Sequence, residues 1–126
     1  MSNHEEWLKR AKYNFKLSKS PIDEETVLEE LCFNAQQAVE KALKGLLVYY
    51  KTDPEHTHNI NRLLDKLINF TTIPNSIYKT VELTKYAHKT RYPGNLKDIP
   101  IVEYKRLIAI ADNCLDWVDK LINDYN

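Results

Sequence analysis

The sequence predicts an all-α fold, an up-and-down bundle of about five helices that residues 1–126 form as a single domain. The chain holds only two glycines and five prolines, which is typical of helical proteins and not of β-sandwiches. Apolar residues recur at helical spacing in several separate segments, whereas no segment shows the alternating pattern of a strand between turn signals. A chain of this length suits one domain that buries its own core.

The longest apolar pattern lies in residues 28–50, a stretch without proline whose only glycine is Gly45. On a helix with 100° per residue, its apolar residues cover about half of the circumference. So wide an apolar arc predicts a central helix that neighbours cover on several sides. The residues of this arc are Leu28, Leu31, Cys32, Ala35, Ala38, Val39, Ala42, Leu43, Leu46 and Leu47.

The opposite arc of the central helix carries Gln37, Glu40, Lys41 and Lys44. Because Gln37, Lys41 and Lys44 are three or four residues apart, their amide and ammonium donors fall on one surface strip. One interpretation is a solvated helix face with a Glu40–Lys44 ion pair. The other is a face that also contacts a ligand.

The first helix is predicted over residues 3–19, with Asn3 or Ser2 as its N-cap. Pro21 ends it, because the residue before a proline avoids the helical conformation. The outer face of this helix is basic, and such a face can either contact phosphate or only keep the protein soluble. Its basic residues are Lys9, Arg10, Lys12 and Lys16.

Three further helices are predicted over residues 60–70, 75–89 and 100–124. The last one carries two adjacent apolar seams, of which the first is Ile101, Tyr104, Ile108, Ala111, Leu115, Val118 and Ile122 and the second is Leu107, Ile110, Cys114, Trp117 and Leu121. A double seam predicts that this helix is flanked by two helices of its own chain, or that one seam faces a second subunit. Between the last two helices, Pro93 and Gly94 form a turn signal that predicts a surface loop.

Composition and spacing argue against several classes of protein. The chain has 18 basic and 18 acidic residues, so its net charge gives no global attraction to nucleic acid. Cys32 and Cys114 fall on apolar helix faces, which predicts reduced core thiols in a cytoplasmic protein. No apolar run is long enough to span a membrane, and no CxxC spacing indicates structural zinc. We therefore expect no metal, no cofactor and no membrane association.

Two of the four histidines, His56 and His58, lie just before the third helix. Residues two apart diverge on a helix, so this pair does not indicate a metal site. A neutral imidazole at a helix start can cap the helix, or it can serve as a hydrogen-bond acceptor or base. The sequence motifs of zinc proteases, P-loop proteins and α/β-hydrolases are absent.

Residues 86–94 form the segment that is richest in functional groups. Arg91 can make a bidentate phosphate contact, and the rings of Tyr86 and Tyr92 can stack on a base. His88 lies in the same segment. The alternative interpretation is an ordinary helix C-terminus, where cationic side chains suit the helix dipole.

Four motifs in order resemble the HEPN domain family. The run CFNAQQAVEKALKGLL at residues 32–47 is similar to the signature helix of this family. So are HNI at residues 58–60 with LL at 63–64, TRYP at 90–93 before a long last helix, and Trp7 with Ala11 in the first helix. The resemblance covers nearly the whole chain. It implies a cytoplasmic helical bundle that usually forms a homodimer.

The resemblance also implies two kinds of activity. Many members of the family act with a small nucleotidyltransferase of the minimal type, either as a toxin–antitoxin pair or as its substrate-binding subunit. Others are metal-independent ribonucleases, which carry an Arg followed four to six residues later by a His. At those distances Arg91 is followed by Asn95, Leu96 and Lys97, and the other three arginines lack the His as well.

RNA cleavage needs a base for the 2′-hydroxyl proton and a cation for the phosphate. Arg91 can supply the cation, whereas His58 or His88 can replace the missing base only if the fold brings it to the same phosphate. We therefore rank a nucleotide- or RNA-binding module first, a ribonuclease toxin second and a non-catalytic structural subunit third.

The predicted binding site combines Lys41, Lys44, His58, Arg91 and Tyr92 around one polar groove. Lys41 and Lys44 share a helix strip, and Arg91 and Tyr92 lie in the loop that is rich in phosphate- and base-binding groups. An antiparallel path brings the His58 end of the third helix to the Leu47 end of the central helix, with Lys44 nearest. We expect the ligand to be anionic, as a nucleotide is.

Overall fold

The computed structural model describes residues 3–87 and 98–123. Within these residues the chain forms five helices and no strand, so the predicted all-α fold is confirmed. The helices are α1 (His4–Ser18), α2 (Leu28–Tyr49), α3 (Ile60–Leu67), a 3₁₀ helix (Asn75–Tyr86) and α4 (Ile101–Asn123).

Helix α2 is the centre of the fold, because α1, α3, the 3₁₀ helix and α4 all pack against it. Its predicted apolar arc is buried except for Leu28, which is half-buried. Each fully buried Leu of this arc contributes about 1.5–3 kcal/mol relative to exposure. The wide arc thus gave both the position and the bounds of the central helix, which ends one residue before the predicted end.

Helices α1 and α2 run antiparallel and approach each other closely at Gly45. A Cβ atom at Gly45 would lie 3.0 Å from Trp7 Cβ and 3.3 Å from Leu8 Cδ2. Farther along, Asn14 of α1 donates a hydrogen bond to Asn34 of α2 at 3.2 Å. Glycine permits the close approach because it has no side chain to occupy this space.

Capping by asparagine fixes the start of two helices. Asn3 Oδ1 accepts from the backbone N–H of Glu6 at 2.9 Å, as predicted for α1. Asn59 Oδ1 accepts from the N–H of Asn61 at 2.9 Å and so starts α3 immediately after His58. Such caps satisfy N–H groups that the first helical turn leaves free.

The loop before α3 is held by ion pairs to that helix. Glu55 has a positive φ of 63° and accepts from Arg62 at 2.6 Å and from Lys66 at 2.9 Å. Lys66 also donates to the carbonyl of Asp53 at 2.6 Å. The loop that carries His58 is therefore tied to α3 at several points.

The fourth helix differs from the prediction, which gave an α-helix over residues 75–89. The structure has a 3₁₀ helix over Asn75–Tyr86. Its buried residues Ile77, Thr80, Leu83 and Tyr86 recur every third position, which matches the three residues per turn of a 3₁₀ helix. The Thr80 hydroxyl also donates to the Ile77 carbonyl at 2.6 Å. Burial of this period-three stripe outweighs the preference for α-helix.

Helix α4 buries residues from both predicted seams against its own chain. It packs on α2, on the 3₁₀ helix and on α1. Tyr104 also ties α4 to α1 by donating to the carbonyl of Ser18. Ile101, which was predicted in the first seam, is exposed instead. The buried residues are Tyr104, Leu107, Ile110, Ala111, Cys114 and Val118.

Other sequence-based expectations concern cysteines, metals and membranes. Cys32 and Cys114 are free thiols buried in the core, as predicted. Across residues 3–87 and 98–123, no group of His, Cys, Asp and Glu has the arrangement of a metal site. No described helix combines the length and hydropathy of a membrane span.

Candidate functional site

A ladder of polar side chains is buried along one face of α2. Gln36, Glu40 and Lys44 follow one another at intervals of four residues, so they lie along one face of the helix. Their exposed fractions are 0%, 3% and 5%. Charged residues are almost never buried to this extent unless they are paired. The burial of these three polar side chains therefore indicates that they pair with one another or with other groups of the fold.

The Glu40 carboxylate is the centre of this ladder. Its Oε2 accepts from the Lys44 ammonium at 2.9 Å, and its Oε1 accepts from Gln36 Nε2 at 3.0 Å. His58 Nδ1 lies 3.0 Å from Oε1 and 3.2 Å from Oε2. Two residues of α2 and one from the loop before α3 thus meet on a single carboxyl group.

The charge state of this cluster follows from its hydrogen bonds. Burial raises the pKa of Glu40, but hydrogen bonds from Lys44, His58 and Gln36 outweigh burial, and the pKa lies below its ordinary value. The carboxylate is therefore ionised at neutral pH and neutralises Lys44. The Lys44 ammonium also lies 5.8 Å from the centre of the Trp7 ring, a favourable distance for a cation–π contact.

His58 is the exposed end of the cluster. Its side chain is 64% exposed although its partner Glu40 is buried. Gln36 Nε2 also lies 3.4 Å from the His58 carbonyl, so the backbone is held near α2 as well. With Nδ1 on the carboxylate, Nε2 is the ring atom available to a ligand. A proton on Nδ1 alone makes Nε2 an acceptor or base, whereas protonation of both nitrogens makes the ring a cation.

The predicted surface strip of Gln37, Lys41 and Lys44 is divided in the structure. Lys44 is buried on Glu40 instead of solvated, because the Trp7 ring of α1 covers it. Lys41 is half-buried and donates to Asn14 Oδ1 of α1 at 2.7 Å. Gln37 Nε2 donates to Gln36 Oε1 at 2.9 Å. The Glu40–Lys44 pair exists as the sequence indicates, but in the interior.

The predicted site residues are placed as follows. Lys44 and His58 come together on the two oxygens of Glu40, and Lys41 lies on the neighbouring part of α2. Arg91 and Tyr92 lie outside the described residues, as does His88. Their relation to the Glu40 cluster therefore stays a prediction.

Neither the central role of Glu40 nor the part that Gln36 plays was predicted from the sequence. The signal was the recurrence of Gln, Glu and Lys at intervals of four, directly beside the apolar arc. Polar residues at this spacing can hydrogen-bond to one another along a helix and so be buried together.

Comparison with known proteins gives one family and two similar structures. The family model described as "HEPN domain" matches residues 4–121. The crystal structure of TT1696 from Thermus thermophilus superposes with a TM-score of 0.80 at 28% identity, covering 95% of this chain and 98% of that chain. The structure of ST0689, described as an archaeal HEPN homologue, gives a TM-score of 0.73 at 27% identity, covering 98% and 100%. No curated protein matches the chain.

Proposed function

This chain belongs to the HEPN domain family, and we propose that it is a helical module that binds a nucleotide or RNA at the face carrying His58. The observation that carries the proposal is the Glu40–His58 contact, in which a buried carboxylate holds an exposed imidazole at 3.0 Å. A ring held at Nδ1 is oriented before a ligand arrives, which lowers the entropy cost of binding. Phosphate and base edges both hydrogen-bond to imidazole nitrogens.

Each predicted site residue has a distinct role in this proposal. His58 contacts the ligand through Nε2. Lys44 acts indirectly, because its ammonium neutralises Glu40 and keeps that carboxylate in place for the imidazole. Lys41 supplies a cation on the adjacent surface, and Arg91 and Tyr92 supply the phosphate and stacking contacts predicted from the sequence.

A binding measurement tests the proposal. Labelled nucleotides and short RNA are titrated against wild type, His58→Ala, Arg91→Ala and Lys41→Ala, with folding checked by circular dichroism. Removal of one charge-assisted phosphate contact costs about 1.5–3 kcal/mol, which is roughly a ten- to hundredfold loss of affinity. Unchanged affinity in folded His58→Ala would place the binding site elsewhere.

The same contact supports a second candidate function, a metal-independent ribonuclease. An imidazole oriented by a carboxylate is a suitable general base for a 2′-hydroxyl. Incubating total RNA with EDTA and wild type, His58→Ala or Arg91→Ala separates the two functions. Cleavage that both substitutions abolish would favour the ribonuclease, and binding without cleavage would favour the module.

We extend the proposal to the partners that membership of the family suggests. A homodimer would sediment at about twice the chain mass of 14.8 kDa, and a monomer at tens of micromolar would contradict it. A minimal nucleotidyltransferase, in a toxin–antitoxin-like pair, is the proposed second protein. Co-expression with a neighbouring gene of that type should yield a complex that survives size-exclusion chromatography. If no complex forms, the pairing is contradicted, and so is the alternative that this chain is a purely structural subunit of such a complex.

A further inference from the structure

A second polar surface lies where α1 borders the Lys41 side of α2. It is a cavity of about 550 Å³. Three of its lining side chains are cations and one is a carboxylate, so its net charge is positive although the whole chain is neutral. Its lining residues are Glu6, Lys9, Arg10, Tyr13, Asn14 and Lys41.

The cations of this cavity are placed to accept an anion. Arg10 forms an ion pair with Glu6 at 3.3 Å on an exposed helix face. Such surface pairs are weak and exchange readily for a better partner. The Lys41 ammonium is held by Asn14 Oδ1 at 2.7 Å, which leaves two of its three N–H donors for a ligand.

The electrostatics at Lys41 point the same way. Burial lowers the pKa of Lys41, Glu40 opposes this effect, and the charges of Arg10 and Lys44 lower the pKa further. An anion in the cavity would offset both the burial and the neighbouring positive charges. Binding of an anion would therefore stabilise the charged form of this side chain.

Tyr13 adds an aromatic surface to this cationic cavity. Its side chain is 60% exposed, although it lies in the middle of α1. An exposed aromatic ring beside Lys and Arg is the arrangement that binds a base by stacking while cations hold the backbone phosphates. An inorganic anion or an acidic peptide would need the cations but not the ring.

We infer that this cavity binds single-stranded nucleic acid, with a base stacked on Tyr13 and backbone phosphates at Arg10 and Lys41. The inference rests on the proposed function for the class of ligand and extends it to a longer one. Lys41 lines the cavity, and Glu40, which holds His58, precedes it in α2, so the two surfaces lie about 100° apart around one helix and a single strand that wraps this helix would reach both. The natural ligand would then be an oligonucleotide and not a mononucleotide.

The test is a length series measured by fluorescence anisotropy. A labelled mononucleotide, trinucleotide and octanucleotide, each as RNA and as DNA, are titrated against wild type, His58→Ala, Arg10→Ala, Tyr13→Ala and Tyr13→Phe. Wild-type affinity should rise with length. Tyr13→Ala should weaken octanucleotide binding roughly five- to a hundredfold, whereas Tyr13→Phe should keep it. Arg10→Ala should reduce the slope of log affinity against log salt by about 0.7, the value for one phosphate contact.

Lys105→Ala is the matched control, because this exposed lysine of α4 does not line the cavity. It should leave both affinity and salt slope unchanged. Equal losses in Arg10→Ala and Lys105→Ala, no gain with length, or no octanucleotide binding by wild type would each overturn the inference.

The two proposals fail separately in this series. If mononucleotide binding depends on His58 but affinity does not rise with length, the proposed function is supported and the α1 site is contradicted. If octanucleotide binding depends on Tyr13 but not on His58, the α1 site is supported and the His58 site is contradicted. Preference for RNA over DNA would add a 2′-hydroxyl contact, and equal binding would indicate base and phosphate contacts alone; either result supports the surface.

Discussion

Substitution of Glu40 by Gln keeps the shape of the side chain but removes the charge that neutralises Lys44. Lys44 is 5% exposed and its ammonium lies 2.9 Å from Glu40 Oε2. Removal of one partner from a buried ion pair costs about 3–5 kcal/mol. We expect the lower value, about 3 kcal/mol, because Gln retains an acceptor oxygen and the Trp7 ring still contacts the ammonium.

The companion variant removes both charges at once. Glu40→Gln with Lys44→Met replaces the ion pair by neutral side chains of similar length, and such replacements are often neutral in stability. The double variant should therefore recover most of the loss. Urea unfolding followed by circular dichroism gives the free energies of unfolding in water. The two single variants and the double variant complete a cycle that isolates the pairwise energy.

A surface pair of the same spacing provides the control. Asp116 and Lys120 are also four residues apart, with 3.2 Å between Lys120 Nζ and Asp116 Oδ2, but their side chains are 61% and 67% exposed. Asp116→Asn should cost no more than about 0.5 kcal/mol. If Glu40→Gln is as stable as Asp116→Asn, or if the double variant is less stable than either of its single variants, burial does not make the Glu40–Lys44 pair costly to break.

Three further predictions concern the core. Burial raises the pKa of Glu40, but its hydrogen bonds hold this pKa below 4.5, so the ionised carboxylate stabilises the fold above about pH 4.5 and loses this effect as the pH falls through its folded-state pKa. Between about pH 6 and pH 3 the free energy of unfolding should therefore fall more steeply in wild type than in Glu40→Gln. Parallel pH curves for the two proteins would contradict this. Gly45→Val should lower the free energy of unfolding by about 1–3 kcal/mol, because a Cβ at this position meets Trp7 Cβ at 3.0 Å. A melting temperature equal to that of wild type would contradict this. Burial raises the pKa of Cys32 and Cys114 to about 12, so a thiol reagent at about pH 8 should label neither cysteine until the chain unfolds. Rapid labelling of the native protein would contradict this, because it would show that a thiol is accessible.

The fold was predictable because its helices are defined by apolar periodicity. The arc of residues 28–50 identified α2 as the central helix, since a helix covered on several sides needs apolar residues around half of its circumference. The 3₁₀ helix was missed although its signal is in the sequence. Ile77, Thr80, Leu83 and Tyr86 recur at three residues, but a helical pattern is ordinarily compared with a period of 3.6.

The candidate site was only partly predictable. An antiparallel path was expected to bring the His58 end of α3 to the Leu47 end of α2; in the structure His58 meets Glu40, one turn before Lys44. The burial of Lys44 was not predictable from its own helix. It depends on Trp7, which lies 37 positions earlier in the chain, and helical periodicity carries no information on such a distant neighbour.

In the Glu40 cluster, the buried pair of Glu40 and Lys44 affects the stability of the fold, whereas the exposed His58 is the residue proposed to contact a ligand. Stability alone does not explain a buried ion pair, because apolar residues of similar size are often as good. The Glu40 carboxylate accepts from the buried Lys44 ammonium through Oε2 and from Gln36 through Oε1, while the exposed His58 ring lies within 3.2 Å of both oxygens. In the proposed function, His58 contacts the ligand while Lys44 keeps the carboxylate neutralised. Because the His58 side chain is exposed and Glu40 is buried beside Lys44, we expect His58→Ala to cost the fold less than Glu40→Gln alone, so the proposed binding role of His58 can be tested in a folded protein.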